Sequence, residues 1–331
     1  MKKALITGIS GQDGSYLAEY LLKLGYEVFG LVRRKPDTLR WLEPLRNDIE
    51  FLYGDMRDAE SLEVAFRKAW PEEVYNLAGQ VFVPTSWECP AETMDINAGG
   101  PARLLKIIER QKPDTRLYQA SSSEMMGNVD GCCSERTPFN PSSPYGSSKT
   151  AAHELVRVYR QRGIFAASGI LFNHESPRRG PEMVTRKITR AAEGWMRGER
   201  QKLKLGNLDA RRDWGFAGDY VQAMHAMLQQ PKPKDYVVGT GVSHSVAEFA
   251  RAVLAVLEAH SGNGDFSGPL EDWIEVDARF FRPNEIHDLR ADATLARREL
   301  GWRPKIAFPE LVRMMVESEL VAIEKYSVAA R

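Results

Sequence analysis

The chain has 331 residues, 43% of them hydrophobic, and 45 Lys plus Arg balance 45 Asp plus Glu, so its formal net charge is zero. That length suits one large or two modest domains with a sizeable core, and the balanced charge excludes the general basicity of a nucleic-acid or membrane-surface binder while leaving room for a local basic pocket. Three cysteines, Cys89, Cys132 and Cys133, form an odd set without zinc-type spacing, which excludes a disulfide framework and a cysteine metal site. No signal-peptide pattern opens the sequence and no apolar run is long enough to span a membrane, so a reducing, cytoplasmic setting is expected.

Lys3 to Thr7 reads as a short apolar strand, followed by Gly8-Ile-Ser-Gly11-Gln12-Asp13-Gly14 and a helical pattern from Ser15 to Leu24. Strand, glycine turn and helix is the context that a dinucleotide fingerprint requires. Glycines let the backbone approach a pyrophosphate, and the free N–H groups at the helix start face the anion. The spacing here is Gly-x-x-Gly-x-x-Gly rather than the commoner Gly-x-Gly-x-x-Gly. A second strand, Glu27 to Val32, runs into Arg33-Arg34-Lys35. A carboxylate at that point would take the ribose 2′-hydroxyl of NAD. Two guanidinium groups suit a 2′-phosphate instead, so NADP is expected; the bland alternative is a solvated basic turn.

Ile49 to Tyr53 is a third strand, and Asp55 and Met56 after it are candidates to accept from an adenine amino group and to pack on its ring. A helix follows from Ser61 to Trp70, then a fourth strand from Glu73 to Ala78 whose end, Leu77-Ala78-Gly79-Gln80, is small enough for a cofactor to lie close. Thr93 to Gln111 is a long helix expected to be interrupted at Gly99-Gly100-Pro101, and Arg116 to Ser121 is a fifth strand. That strand leads into Ser122-Ser123-Glu124. After a loop, Ser143-Pro144-Tyr145-Gly-Ser-Ser-Lys149 opens a helix that continues to Arg162, and Phe165 to Leu171 is a sixth strand. Alternating strands and helices imply an α/β fold with a doubly wound parallel sheet of Rossmann type, with ligands at the carboxyl ends of the strands.

Tyr145 and Lys149 are four apart and stack on one helix face. A phenol titrates near pH ~10, and a neighbouring ammonium favours its phenolate, which makes the pair a candidate base. Ser122 can hydrogen-bond a substrate oxygen, and Glu124 offers a second acid/base group. Beyond Leu171 the texture changes to short strands, loops and helices: a smaller mixed α/β C-terminal unit is expected at 173–331, folding over a dinucleotide-binding unit at 1–172 that also draws sheet contributions from around 214–240. Arg179, Lys187, Arg211, Arg212 and Arg282 spread over loops of this unit and suit a diphosphate better than a long polyanion, against the alternative of surface salt bridges.

Several long strings carry a family resemblance. Thr7-Gly-Ile-Ser-Gly-Gln-Asp-Gly-Ser-Tyr-Leu17, Gly169-Ile-Leu-Phe-Asn-His-Glu-Ser-Pro-Arg-Arg-Gly180, Val184-Thr-Arg-Lys187, Leu205-Gly-Asn-Leu-Asp-Ala-Arg-Arg-Asp-Trp-Gly215 and Phe281-Arg-Pro-Asn-Glu285 resemble the GDP-mannose 4,6-dehydratase family of extended short-chain dehydrogenase/reductases over essentially the whole length. The resemblance implies that Tyr145, helped by Lys149, takes the proton from the sugar 4-hydroxyl while hydride leaves carbon 4 for NADP. Glu124 then takes the carbon-5 proton and protonates the departing 6-hydroxyl, hydride returns to carbon 6, and Ser122, where the family has threonine, orients the carbon-4 oxygen. It implies NADP contacts at Gly8, Gly11, Gln12, Asp13, Gly14, Arg33, Arg34, Asp55, Met56, Leu77, Lys149, His174 and Arg179. Nucleotide-sugar contacts are implied at Asn173, Lys187, Asn207, Arg212, Arg282 and Glu285. It also implies a homodimer or homotetramer, with Arg33–Arg40 a candidate interface; the balanced charge and the lack of a stacking motif or basic stripe argue separately against a nucleic-acid or membrane partner.

The chain departs from the family at Val81, Met126 and the Thr150-Ala-Ala-His153 helix start, all expected to flank the sugar pocket. These leave a GDP-linked hexose or a GDP-linked manno-heptose open as substrate. A 4-reductase or epimerase on the same scaffold, or a non-catalytic NADP-sensing or RNA-binding module, are the competing readings. Glu124 separates the first of these from a dehydratase, because a reductase needs no carbon-5 base.

Overall fold

A computed structural model of the chain describes residues 1–33, 40–281 and 284–329. The first half alternates as the sequence pattern implies: β1 (Lys3–Thr7), α1 (Gln12–Lys23), β2 (Glu27–Val32), β3 (Ile49–Tyr53), α2 (Ala59–Ala69), β4 (Glu73–Asn76), α3 (Val83–Glu88), α4 (Pro90–Met94), α5 (Gly100–Gln111), β5 (Arg116–Ser122), α6 (Pro144–Gln161) and β6 (Ala166–Leu171). The second half follows with β7 (His174–Glu175), α7 (Val184–Met196), β8 (Leu203–Leu205), β9 (Arg211–Asp213), β10 (Gly215–Phe216), α8 (Ala217–Leu228), β11 (Asp235–Val238), β12 (Ser243–Ser245), α9 (Val246–Ser261), β13 (Ile274–Val276), β14 (Asp288–Leu289), α10 (Thr294–Glu299) and α11 (Phe308–Ala329).

Seven strands make one parallel sheet in the order β11-β6-β5-β4-β1-β2-β3. The central strands are buried along nearly their whole length, which is why they read as apolar runs rather than as alternating patterns. Leu5, Phe29, Leu52, Leu104 and Val156 pack on one face, against α2, α5 and α6. Ile6, Leu17, Leu21, Tyr220 and Met224 pack on the other, against α1 and α8. The order reverses between β1 and β4, so the crevice beyond their carboxyl ends is where such a sheet binds ligands.

A second core lies among α7, α9 and α11, filled by Trp195, Trp214, Phe249 and Trp273. The short strands β8 and β13 pair beside it, and β12-β9-β14 form a separate three-stranded sheet. The expected break at Gly99-Gly100-Pro101 does not occur. Residues Asp95–Gly99 form a π-helical turn joining α4 to α5, and Pro101 falls in the first turn of α5, where its missing N–H is harmless. Helix α1 begins at Gln12, earlier than the pattern suggests, so the glycine turn runs directly into it.

α7 and α11 are joined by a buried ion pair, Arg186 Nε to Glu319 Oε1 at 2.9 Å, with both side chains below a tenth exposed. Arg186 also donates to Pro177 O at 2.6 Å, tying α7 to the loop after β7. Removing one member of such a pair leaves a charge stranded in a poor solvent. Arg186→Met is therefore expected to lower the unfolding free energy by about 3–5 kcal/mol, and adding Glu319→Leu should recover most of the loss, both read by urea denaturation.

Candidate functional site

Thr7 ends β1, and Gly8 turns the chain with φ +70°; a Cβ there would lie 2.8 Å from Ala78 N. At Gly14 a side chain would drive into Gly8 O, so the turn and α1 touch backbone to backbone. The residue that caps α1, Gly11, has no side chain with which to occupy the first N–H groups of the helix. Its first N–H groups are left for an anion, which is the cradle a pyrophosphate needs. They open into a cavity of about 600 Å³ whose walls include Gly8, Gly11, Gln12, Asp13, Gly14, Arg33, Asp55, Met56, Leu77 and Arg179. All ten are among the cofactor positions implied by the sequence. Arg34 and Arg282 lie outside the described residues, as does most of the candidate interface at Arg33–Arg40.

Loop 173–180 is tied to this turn. His174 Nδ1 lies 2.7 Å from Phe172 O and Nε2 lies 2.8 Å from Asp13 Oδ2. Both neighbours only accept, so both ring nitrogens donate and the ring is an imidazolium. Burial works against that charge, but Asp13 overcomes it and raises the His174 pKa. Burial likewise opposes the Asp13 carboxylate, and His174, Gln12 and Arg179 outweigh it, holding its pKa below the usual range. Gln12 donates to His174 O at 3.0 Å and accepts from Ser176 Oγ at 2.8 Å. Arg178, which the sequence reading missed, also lines the cavity; its guanidinium sits 3.9 Å from the Tyr16 ring centroid and hydrogen-bonds Ser15 Oγ.

A chain of buried side-chain hydrogen bonds crosses the strand ends. Thr7 Oγ1 donates to Asn76 Oδ1 at 2.7 Å, Asn76 Nδ2 to Gln119 Oε1 at 2.8 Å, and Gln119 Nε2 to Ala120 O at 3.0 Å. Lys149 Nζ donates to the same carbonyl at 3.0 Å. Thr7 Oγ1 also accepts from Leu77 N and Ala78 N, both at 3.1 Å, which sets the backbone beneath the cavity. The π-helical turn aims Asn97 into this region. Its side chain pairs with both backbone polar groups of Gln80 and donates to Ser148 Oγ. Asn97 is absent from the sequence reading, since an Asn in a helical pattern gives no signal of this role.

Ser122, Glu124, Tyr145 and Lys149 gather at the carboxyl end of β5. Ser122 is buried and its Oγ caps the turn at Glu124 N, 3.2 Å away. Tyr145 is buried, and burial pushes its pKa up to about 12; a hydrogen bond from Ser122 pulls the other way, and the Glu124 carboxylate adds to the rise. Burial therefore opposes the phenolate that the pairing with Lys149 favours. Lys149 Nζ is 5.9 Å from the Tyr145 ring centroid and is itself brought down to about 8 by burial, so the ammonium is too weakly solvated and too distant to dominate.

The implied substrate residues are less uniform. Lys187 is half-buried with Nζ 6.0 Å from the Phe82 ring centroid and 5.8 Å from that of Phe280. Arg212 is buried, donating to Ile286 O at 2.7 Å and to Glu285 Oε1 at 3.3 Å. Arg211, adjacent on β9, points to the other side and pairs with Glu248 at 2.7 Å, so it leaves the proposed basic cluster. Asn207 accepts from Asp209 N in a local turn, and the Asn173 carbonyl accepts from Gly215 N. Val81 is exposed on the cavity wall. Met126 is fully buried among Met125, Ile170, Phe172 and Val237. Cys133 is buried in the same cluster, which raises its pKa to about 11, so it packs as an apolar side chain. Among the described residues no group of three or more His, Cys, Asp or Glu could hold a metal, and no helix is long and apolar enough to cross a membrane.

A parallel sheet that ends in a glycine cradle at one strand, and in a hydroxyl facing a tyrosine–lysine helix at another, defines an extended short-chain dehydrogenase/reductase. Comparison with known proteins narrows this. The family model described as GDP-mannose 4,6 dehydratase matches residues 5–315. The chain is 48% identical to GDP-mannose 4,6 dehydratase 1 of Arabidopsis thaliana, over 99% of this chain and 92% of that protein. It is 42% identical to the GDP-mannose 4,6 dehydratase of Homo sapiens, over 96% and 91% respectively. Among solved structures, the UDP-glucose 4-epimerase of Thermus thermophilus, a complex with NAD, matches with TM-score 0.82 at 28% identity over 96% of this chain and 99% of that one. The chain belongs to the GDP-mannose 4,6-dehydratase family, and is an enzyme of the hydro-lyase class.

Lys149 offers a check on the site's electrostatics. Its folded pKa, about 8, lies below its ordinary value of 10.5. Between those values the unfolded chain holds a proton that the folded protein has released, so stability rises with pH across that window. Relative to Lys149→Met, the wild type should gain up to ~3 kcal/mol as pH rises through it, measured by urea denaturation at a series of pH values.

Proposed function

We propose that the protein converts GDP-D-mannose to GDP-4-keto-6-deoxy-D-mannose, with a nicotinamide dinucleotide that ends each turnover as it began. The observation that carries this reading is the meeting of Glu124 with Ser122, Tyr145 and Lys149 beside the glycine cradle. A bound NADP would supply a reversible hydride acceptor; the chain's own residues handle the protons. Tyr145 removes the proton of the 4-hydroxyl, and Ser122 orients that oxygen. A ketone at carbon 4 acidifies carbon 5. Glu124 takes the carbon-5 proton and delivers it to the departing 6-hydroxyl, which leaves as water; the hydride that the reduced cofactor would return to carbon 6 is matched at carbon 5 by the proton that Tyr145 took from the 4-hydroxyl. Burial by itself raises the Tyr145 pKa to about 12 and lowers that of Lys149 to about 8; the positive charge of a bound NADP would act on the phenol in the opposite sense, toward the phenolate that takes the 4-hydroxyl proton.

NADP is favoured over NAD because Arg33, at the end of β2, lines the cavity, where an NAD enzyme would use a carboxylate. The cofactor would be held by the uncapped start of α1, by Asp55 and Met56 at the adenine end, and by Lys149, His174 and Arg179. Asn173, Lys187, Asn207, Arg212, Arg282 and Glu285 are assigned to the GDP-sugar. The working division is a dinucleotide unit at 1–172, completed by later sheet segments, and a sugar-nucleotide unit at 173–331. Cytoplasmic residence and a homodimer or homotetramer complete the proposal. A manno-heptose in place of mannose is the second reading, favoured by the exposed Val81 on the cavity wall.

Glu124→Gln is expected to bind NADP and GDP-mannose normally while turnover falls roughly 10²–10⁴-fold, with mass spectrometry of the product as the assay. Unchanged turnover would take Glu124 out of the mechanism, and steady loss of NADPH absorbance during wild-type turnover would indicate a reductase. Parallel assays with GDP-mannose and GDP-manno-heptose, each with NADP and NAD, decide the sugar and the coenzyme by kcat/KM.

A further inference from the structure

His153 sits two turns beyond Tyr145 and one beyond Lys149, so the three share one face of α6. It is buried. Its Nδ1 lies 3.0 Å from Ser121 Oγ on β5, and its Nε2 lies 3.5 Å from Asp235 Oδ2 on β11. Asp235 is held in turn by Arg160 of the same helix, which also donates to Ala166 O on β6 at 2.8 Å. The Phe139 ring lies edge-on to the imidazole, with centroids 5.0 Å apart. The Ser121–His153–Asp235–Arg160 chain thus links three neighbouring strands to the helix that carries Tyr145 and Lys149.

We propose that this chain positions the reacting pair: His153 fixes the height and rotation of α6 on the end of β5, and commits the Ser121 hydroxyl so that Ser122 alone faces Tyr145. The acceptors decide the hydrogen placement. With Nε2–H donated to Asp235, Nδ1 accepts from Ser121 O–H, and that hydroxyl is turned into the helix interface. Ser121 meets α6 at His153 and Ser122 meets it at Tyr145, so the end of β5 is joined to the helix on both sides of Lys149. On the helix the same face receives two polar contacts from β5, Ala120 O to Lys149 and Ser121 Oγ to His153, one turn apart. A helix held at two successive turns cannot slide or rotate, and errors of ~1 Å in such placements cost up to ~10²-fold in rate. The charged groups around His153 are Asp235 and Arg160, with Glu135 beyond, accepting from Val237 N at 2.8 Å.

The inference rests on the proposed role of Tyr145 and Lys149, so its test needs one readout that is independent of the sugar. Four variants, Ser121→Ala, His153→Phe, His153→Gln and the Ser121→Ala/His153→Phe double, are compared with wild type. The phenylalanine keeps a ring against Phe139 while removing both polar ends; the glutamine keeps a donor for Asp235. Kinetics should show kcat lowered about 5- to 20-fold in each single removal, KM unchanged within about twofold, and the double variant no worse than the singles. His153→Gln should recover part of the loss. The second readout is the pH midpoint for acylation of Lys149, followed by peptide mass spectrometry; it should move by about 0.5 pH unit or more in His153→Phe. Losses that multiply in the double variant, or a lowered melting temperature with kcat and the Lys149 midpoint unchanged, would overturn the proposal. If His153→Phe fails to fold, Ser121→Ala gives the same two readouts. If the wild type turns over no nucleotide sugar, the dehydratase reading fails, and the Lys149 midpoint alone decides for or against the positioning role.

Discussion

The row of side-chain hydrogen bonds from Thr7 through Asn76 and Gln119 to Ala120 O and Lys149 is the constraint on which the rest of the site depends. It joins three adjacent strand ends in register, Thr7 opposite Asn76 and Asn76 opposite Gln119. Each member is fully buried or nearly so, where an unmatched polar group is costly, so the row tolerates few arrangements. One end positions the backbone of Leu77 and Ala78 under the glycine turn. The other holds the Lys149 amine, and with it the helix that bears Tyr145, to the end of β5. The cradle and the proton-handling pair are thereby built on one rigid edge rather than on two independent loops.

Electrostatics then distributes charge along that edge. Burial acts in the same sense everywhere, against ionisation, and is overcome only where a partner is in contact. Asp13 and His174 stay charged because they meet directly; Tyr145 and Lys149, without a comparably close opposite charge, are both driven toward neutrality. The Asp13–His174 pair also ties loop 173–180 to the start of α1. The polar stretch that reads as a loop in the sequence is in fact a seam, held by Gln12, Ser176, Arg178 and Arg186.

Much of this is legible in the chain. Strands buried on both faces announce themselves as short apolar runs, and β1 and β2 begin and end where those runs do. The glycine turn, Tyr145, Lys149 and the nearby Ser122 and Glu124 are local patterns with a fixed spacing. What escapes are matters of depth and direction. β9 and β12, read as Arg-Arg-Asp and Ser-His-Ser, contain nothing apolar, because their pairing is set by Asp213 accepting from Thr240, Gly241 and Ala291. The rise of the Tyr145 pKa follows from burial, which no four-residue spacing encodes. The burial of Met126 among Ile170, Phe172 and Val237, and the contact of His153 with Ser121, are likewise set by packing rather than by their sequence neighbours. The His153 direction is recoverable, since 145, 149 and 153 fall on one face of a helix; the target of that face is not.

The edge strand β11 has a consequence for how the protein is made. β6 pairs with it, and the intervening chain from β7 to α8 must be produced before that pairing exists. While the ribosome is still delivering those residues, β6 presents an open row of backbone donors and acceptors, the surface on which unwanted strand addition starts. Asp235, whose carboxylate meets both His153 and Arg160, arrives on the strand that closes it. Capping the sheet during synthesis and securing the tyrosine helix are therefore a single late event.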